Sequence, residues 1–124
     1  MSDRLRTTLG PLVLDNPLIN ASGTFGYGVE YAGFVDVAKL GGVSVKGISL
    51  EPRPGNMPPR TAETSAGMLN SIGLANIGID AFINDTMPQL RELGVTVIVN
   101  TFATSIEDFV ELATRFENVE GIAA

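Results

Sequence analysis

The stretch GVTVIVNTFATSIEDFVELATRFE, residues 94–117, decides how this chain is to be read. Residues 95–99 are an unbroken β-branched run without polar alternation, which predicts a fully buried parallel strand. It delivers Asn100 and Thr101 at its end. Thr104-Ser105-Ile106-Glu107 has capping-box spacing, which predicts a helix start. The helix after it carries Ile106, Phe109, Val110, Ala113 and Phe116 on one face, expected to be buried. A strand followed at once by an amphipathic helix is a βα unit, the crossover that parallel strands require.

Working outward, Gly121-Ile122-Ala123-Ala124 reads as the first residues of a further strand, and the chain is expected to stop inside that element. Residues 78–93 follow helical spacing through Ile79, Phe82, Ile83, Met87 and Leu90, with a kink or break expected at Pro88. Residues 42–47 (GVSVKG) form a short strand whose last side chain is Lys46. Residues 30–40 are expected to be a helix, with Tyr31, Phe34, Val35 and Ala38 at helical offsets and Gly41-Gly42 ending it. Residues 17–21 read as a short buried strand after the Asn16-Pro17 break. Residues 5–9 and 12–14 read as a hairpin turning at Gly10-Pro11.

The resulting order is strand, helix, strand, excursion, helix, strand, helix, strand, the alternation of an α/β protein with a parallel sheet. Its first three strands each end in polar residues: Asn20 with Ser22, then Lys46, then Asn100. In α/β barrels those ends form the active-site face. A lone asparagine at a strand end also serves as a turn residue. A lysine there is harder to dismiss, because it is costly at the end of a buried strand unless an anion meets it.

The excursion contains residues 51–60 (EPRPGNMPPR), too rich in proline for a central strand or helix. It leads into residues 60–78 (RTAETSAGMLNSIGLANIG), where small residues surround two amides, Asn70 and Asn76. A loop of this length is uncommon unless it binds something or is disordered. Low charge and the apolar anchors Met68, Leu69, Ile72, Leu74 and Ile77 argue against disorder. It reads as an ordered substrate loop presenting its amides to a ligand, with a surface loop carrying structural glycines as the alternative. Residues 22–28 (SGTFGYG) also have a ligand-loop composition, but they lack the GxGxxG order of a dinucleotide fingerprint.

Composition removes several function classes. A net charge of −6 without a Lys/Arg cluster argues against a nucleic-acid surface. With no cysteine and no histidine, disulfides, thiolate metal sites and the commonest acid–base residue are excluded, and no metal site is expected. No segment approaches a membrane span or a signal peptide, so a soluble cytoplasmic protein is expected.

Together these residues resemble the dihydroorotate dehydrogenase family, flavin enzymes of pyrimidine biosynthesis. The resemblance lies in Asn16-Pro17 with Ala21-Ser22-Gly23, in Val45-Lys46-Gly47, in Glu51-Pro52-Arg53, and above all in Gly67-Met68-Leu69-Asn70-Ser71-Ile72-Gly73-Leu74. It covers essentially the whole chain. The AETSAG lead-in and MLNSIGL resemble the catalytic subunit of the NAD-linked, two-subunit class.

The resemblance implies a (β/α)8 TIM barrel with FMN at the C-terminal face of its strands. Ser22, Lys46, Gly47 and Asn100 would contact FMN. Lys46, Asn70, Ser71, Ile72, Gly73 and Leu74 would hold dihydroorotate or orotate, with Lys46 facing the carboxylate. The implied chemistry is loss of a proton from C5 of dihydroorotate and hydride transfer from C6 to flavin. A barrel needs about 250 residues, and the chain has 124. It is therefore expected to be the N-terminal portion: about three βα units, an N-terminal hairpin and the start of a fourth strand. Residues 1–124 would be one partial barrel domain, truncated at its C-terminus. The family's cysteine base would lie beyond Ala124, leaving no catalytic residue in this chain. Thr101-Phe102-Ala103 departs from relatives that carry a glycine near the third position.

Implied partners are an electron-transfer subunit with FAD and an iron–sulfur cluster, and further copies of the full-length protein. No nucleic acid or membrane partner is implied. Two readings stand beside this one: a non-enzymatic half-barrel that binds flavin or pyrimidine, and a related flavin-dependent pyrimidine reductase.

Overall fold

The computed structural model describes residues 3–124. Strands β1 (Thr7–Leu9) and β2 (Leu12–Leu14) form an antiparallel hairpin, Thr7 opposite Leu14 and Leu9 opposite Leu12. Leu5, expected in the first strand, lies instead in a 3-10 turn at Asp3–Leu5.

The parallel sheet is built in chain order. Ile19 bridges Gly42, β3 (Val43–Ser44) pairs with residues 97–98, and Val97 bridges Ile122, all in parallel. The ladder extends past the regular strands, with Val45 N donating to Ile98 O at 3.0 Å and Ile48 N to Asn100 O at 2.9 Å. On the far side Ala123 N donates to Val97 O at 2.8 Å. The order shows no reversal, unlike that of a doubly wound sheet.

Three elements lie between those strands. β4 (Thr61–Thr64) and β5 (Gly67–Asn70) pair antiparallel around Ser65-Ala66, with every residue of both strands exposed. The expected irregular loop is thus partly a hairpin, and Met68 and Leu69 are exposed rather than anchoring it. Neither strand alternates apolar with polar residues, and Ser-Ala is not a favoured hairpin turn, so the usual signals are missing. A helical stretch follows: α1 (Gly78–Ala81), a π-helical turn at Phe82–Thr86, and α2 (Met87–Glu92). The break expected at Pro88 takes the form of this π turn, with Met87 N bonded to Phe82 O. Proline has no N–H to continue the regular ladder.

After β6 (Val97–Ile98) comes α3 (Ile106–Glu117). Its cap is Ser105, whose Oγ accepts from Asp108 N at 3.1 Å, one position later than the Thr104–Glu107 pairing expected. The buried stripe of α3 is Leu112 and Phe116, while Ile106, Phe109, Val110 and Ala113 are exposed. The expected apolar face is therefore rotated relative to the sheet, and only Phe116 of it reaches the core.

The core lies between one face of the sheet and these helices. Val43, Val45 and Val97 are fully buried with Phe82, Met87, Leu90 and Leu112. Phe82 meets Phe116 edge-on at 6.0 Å and Tyr27 at 5.8 Å. Alternate strand residues point the other way, because successive side chains in a strand face opposite sides. Ser44, Lys46 and Ile98 are only partly buried, and Asn100 is exposed. Of the 95–99 run only Val97 is fully buried, contrary to expectation; Val95 and Val99, on the same face, pack against the core but stay partly exposed.

Residues 30–40 are not a helix. They form 3-10 turns at Val29–Tyr31 and Val37–Lys39, and Phe34 is 85% exposed. Gly33 within so short a segment weakens a helix that had little length to nucleate. No helix among the described residues is long and apolar enough to cross a membrane.

Candidate functional site

A cleft of about 500 Å³ opens at the C-terminal ends of the parallel strands. Its walls contain all nine residues that the family resemblance implies as ligand contacts: Ser22, Lys46, Gly47, Asn70, Ser71, Ile72, Gly73, Leu74 and Asn100. Gly23, Thr101 and Phe102, to which no ligand contact was assigned from the sequence, complete the lining. Thr101 and Phe102 simply follow Asn100 out of β6.

Each strand end contributes by a separate device. Ser22 opens a 3-10 turn, Ser22–Thr24, after the first parallel segment. Its Oγ accepts from Asn100 Nδ2 at 3.1 Å, tying the first strand end to the third. Lys46 is held by its backbone, N to Gly26 O at 2.8 Å. Its ammonium has no hydrogen-bond or ion-pair partner among the described residues. An unpaired cation in a concave site favours an anionic ligand. A Cβ added at Gly47 would meet only the Asn100 side chain, at 3.7 Å, so the space in front of Gly47 belongs to the cleft.

The fourth wall is the loop after β5. Gly73 and Leu74 both have positive φ, 78° and 57°. For leucine this is unusual and marks a backbone held by its surroundings. The backbone N–H groups of Ile72, Gly73, Leu74 and Ala75 have no acceptor among the described residues. From the proline-rich run, Asn56 Nδ2 donates to Ser71 O and Ser71 Oγ at 3.0 and 2.9 Å, and Asn56 N to Ile72 O at 3.0 Å. Arg60 Nη2 donates to Pro54 O at 2.8 Å within that run, and Arg60 O accepts from Ser71 N of the loop at 2.7 Å. The role of Asn56 was not legible in sequence, since its partners are 15 positions away.

The amides divide into two kinds. Asn70 and Asn100 are exposed in the cleft. Asn76, expected to face a ligand, is buried and bonded to Ser49, Gly78 and Leu74. Asn20, expected at the active-site face, brackets Ser44 instead, accepting from its N at 2.9 Å and donating to its O at 2.7 Å. Asn16 likewise binds backbone at Leu18, Lys39 and Gly41. Behind the cleft, the Tyr27 hydroxyl accepts from Ile77 N at 3.2 Å. Burial pushes the Tyr27 phenol up from its usual range, the Ile77 bond opposes this, and the Glu30 carboxylate adds to it. Arg53 stacks on the cleft residue Phe102, 5.1 Å from its ring centre.

Lys46 is the only ionisable residue in the lining. The cleft therefore offers a cation, two amides, hydroxyls and free backbone donors, suited to holding an anionic polar ring. It offers no carboxylate, imidazole or thiol to take a proton.

The family model described as dihydroorotate dehydrogenase matches residues 4–124. The chain belongs to the dihydroorotate dehydrogenase family. Among curated members it is 48% identical over 120 residues to a protein of Thermodesulfovibrio yellowstonii, covering 97% of this chain and 40% of that one. It is 46% identical over 120 residues to one of Parabacteroides distasonis (97% and 39%), and 47% over 123 residues to one of Pelobacter propionicus (99% and 40%). All three are named dihydroorotate dehydrogenase B (NAD(+)), catalytic subunit. This member of the family thus spans about 40% of the length of those relatives.

Proposed function

We propose that this chain is the N-terminal portion of a (β/α)8-barrel dihydroorotate dehydrogenase, a single partial barrel domain over residues 1–124. The whole protein would oxidise dihydroorotate to orotate in the cytoplasm with FMN. The observation that carries this reading is the convergence of Ser22, Lys46, Asn70–Leu74 and Asn100 on one cleft at the strand ends. The singly ordered parallel sheet supports the barrel, because each strand adds beside the last as in a barrel wall.

The residues present fit a flavin ring beside a carboxylated pyrimidine. Ser22 and Asn100 offer a hydroxyl and an amide at one edge, and Gly47 leaves room for a flat ring to approach the backbone. FMN, when bound, supplies the acceptor for two electrons. Lys46 neutralises the substrate carboxylate and favours negative charge in the site. Asn70 presents donor and acceptor together, as a pyrimidine dione requires. The free N–H groups of residues 72–75 suit a carboxylate. No lining residue can remove the C5 proton, so the base comes from outside this cleft wall; the chain has no cysteine.

The names of the relatives support a separate electron-transfer subunit, carrying FAD and an iron–sulfur cluster in this reading. We further place the full-length protein in a homo-oligomer.

The test is an FMN titration of the chain, followed by flavin fluorescence, with orotate or uracil present. Tighter FMN binding with orotate but not uracil is expected. Coupling to uracil instead would move the protein to the pyrimidine-reductase reading. Binding of neither flavin nor orotate, together with inactivity of a protein extended to the relatives' length, would overturn the proposal.

A further inference from the structure

Leu74 is the only non-glycine residue with positive φ among the described residues, and it sits in the cleft wall. A Cβ disfavours that conformation, so neighbouring contacts must impose it. The Leu74 carbonyl accepts a hydrogen bond from Asn76, which does not line the cleft.

The two ends of the Asn76 amide do different work. Its Oδ1 accepts from Ser49 N at 3.2 Å and Gly78 N at 2.9 Å, while the Ser49 hydroxyl gives its proton to Glu51 O at 2.7 Å. These bonds pin the side chain between the end of the second strand and the start of α1. Its Nδ2 donates to Ser49 Oγ at 2.9 Å and to Leu74 O at 3.0 Å. The Asn76 backbone adds a reciprocal pair with Arg53, at 2.9 and 3.0 Å. The amide is buried and fully bonded, so it cannot drift to another partner without leaving a polar group unsatisfied.

We propose that Asn76 is the positioning residue of the cleft loop. The single bond from its Nδ2 to the Leu74 carbonyl fixes the left-handed turn at Gly73 and Leu74, and with it the placement of the unpaired N–H groups of residues 72–75. This rests on the reading that the loop receives a carboxylated pyrimidine. Asn76 would then set affinity for that ligand without touching it.

Asn76→Asp separates the two roles. It preserves shape and the acceptor end, and it turns the donated bond into a repulsion between carboxylate and carbonyl. Leu74→Gly removes the conformational penalty, so a glycine loop can adopt the turn without Asn76. NMR couplings and shifts report φ at residue 74, and an orotate titration of the FMN-supplemented chain reports affinity. For N76D we expect loss of the positive φ at Leu74 and orotate binding about tenfold weaker, the effect of one part-buried hydrogen bond. In the L74G background, N76D should weaken orotate about threefold or less, because the coupling runs through residue 74.

A positive φ retained in N76D would overturn the inference, as would unchanged orotate affinity despite a released Leu74, or equal losses in both backgrounds. If the unaltered chain binds no orotate while N76D releases Leu74, the pyrimidine reading falls and the positioning role stands. Should N76D not fold, Asn76→Ala, which removes the Nδ2 donor to Leu74 O without burying a charge, decides the cycle on the same outcomes.

Discussion

Asn100 Nδ2 donates to Ser22 Oγ at 3.1 Å, joining side chains 78 positions apart across the mouth of the cleft. The bond spans the ends of the first and third parallel segments, with Lys46 leaving the strand between them. Because Ser22 accepts from Asn100, its own hydroxyl proton is left for another acceptor. Asn100 Oδ1 has no hydrogen-bond partner among the described residues. Ser22→Ala removes only an exposed hydrogen bond, so we expect a stability loss of about 0.5 kcal/mol. FMN should bind about three- to tenfold less tightly, the consequence of a freed amide and a lost donor. Paired thermal melts and flavin titrations separate the two effects.

Lys46→Gln should leave the fold as stable as before, since the ammonium has no partner to lose among the described residues. The same change should weaken orotate binding by about 2 kcal/mol, or roughly thirtyfold, as for a charge-assisted hydrogen bond. It should also flatten the salt dependence of that binding, which titrations at low and high ionic strength would reveal.

Two glycines offer a matched comparison. A Cβ at Gly41 would lie 1.9 Å from Asn16 O, a backbone atom that cannot move aside cheaply, whereas a Cβ at Gly47 meets nothing closer than 3.7 Å. Gly41→Ala should therefore destabilise the chain by about 3 kcal/mol or more, in the range of severe overpacking. Gly47→Ala should melt within a degree or two of the parent, a surface-sized effect. Its methyl group occupies cleft space, so FMN affinity should fall in this variant. Loss of stability without loss of affinity in G47A would contradict the placement of Gly47.

Tyr27 links pH to stability. Burial raises its phenol in the folded chain, so above about pH 10, where an unfolded tyrosine ionises, the unfolded state binds fewer protons than the folded one. Stability should then fall as pH rises from about 10 toward the raised folded value. Below about pH 10 this residue should contribute no slope. Tyr27→Phe should remove that alkaline loss. At neutral pH it should cost about 1 kcal/mol, because the Ile77 N–H loses its acceptor. Denaturant melts of both proteins between neutral and alkaline pH provide the check.

The legible parts of the sequence were those in which residue type alone restricts the outcome. β-branched residues beside an amphipathic segment forced βα units, proline barred residues 51–60 from a central strand or helix, and Lys46 at a strand end pointed to an anion. The residues of MLNSIGL pointed to the cleft before any geometry did. What sequence could not settle was the use made of each amide. Asn16, Asn20, Asn56 and Asn76 bracket backbone, while Asn70 and Asn100 line the cleft. An amide donates and accepts equally well in either role, so only burial and the position of distant partners distinguish them. The same holds for the face of α3: spacing identifies an apolar stripe, but the angle at which the helix meets the sheet selected Leu112 and Phe116 for the core. Local chemistry determined the βα units around residues 78–117, while long-range packing decided the β4–β5 hairpin, the 3-10 turns in place of a 30–40 helix, and which side chains the elements bury, pin or leave free.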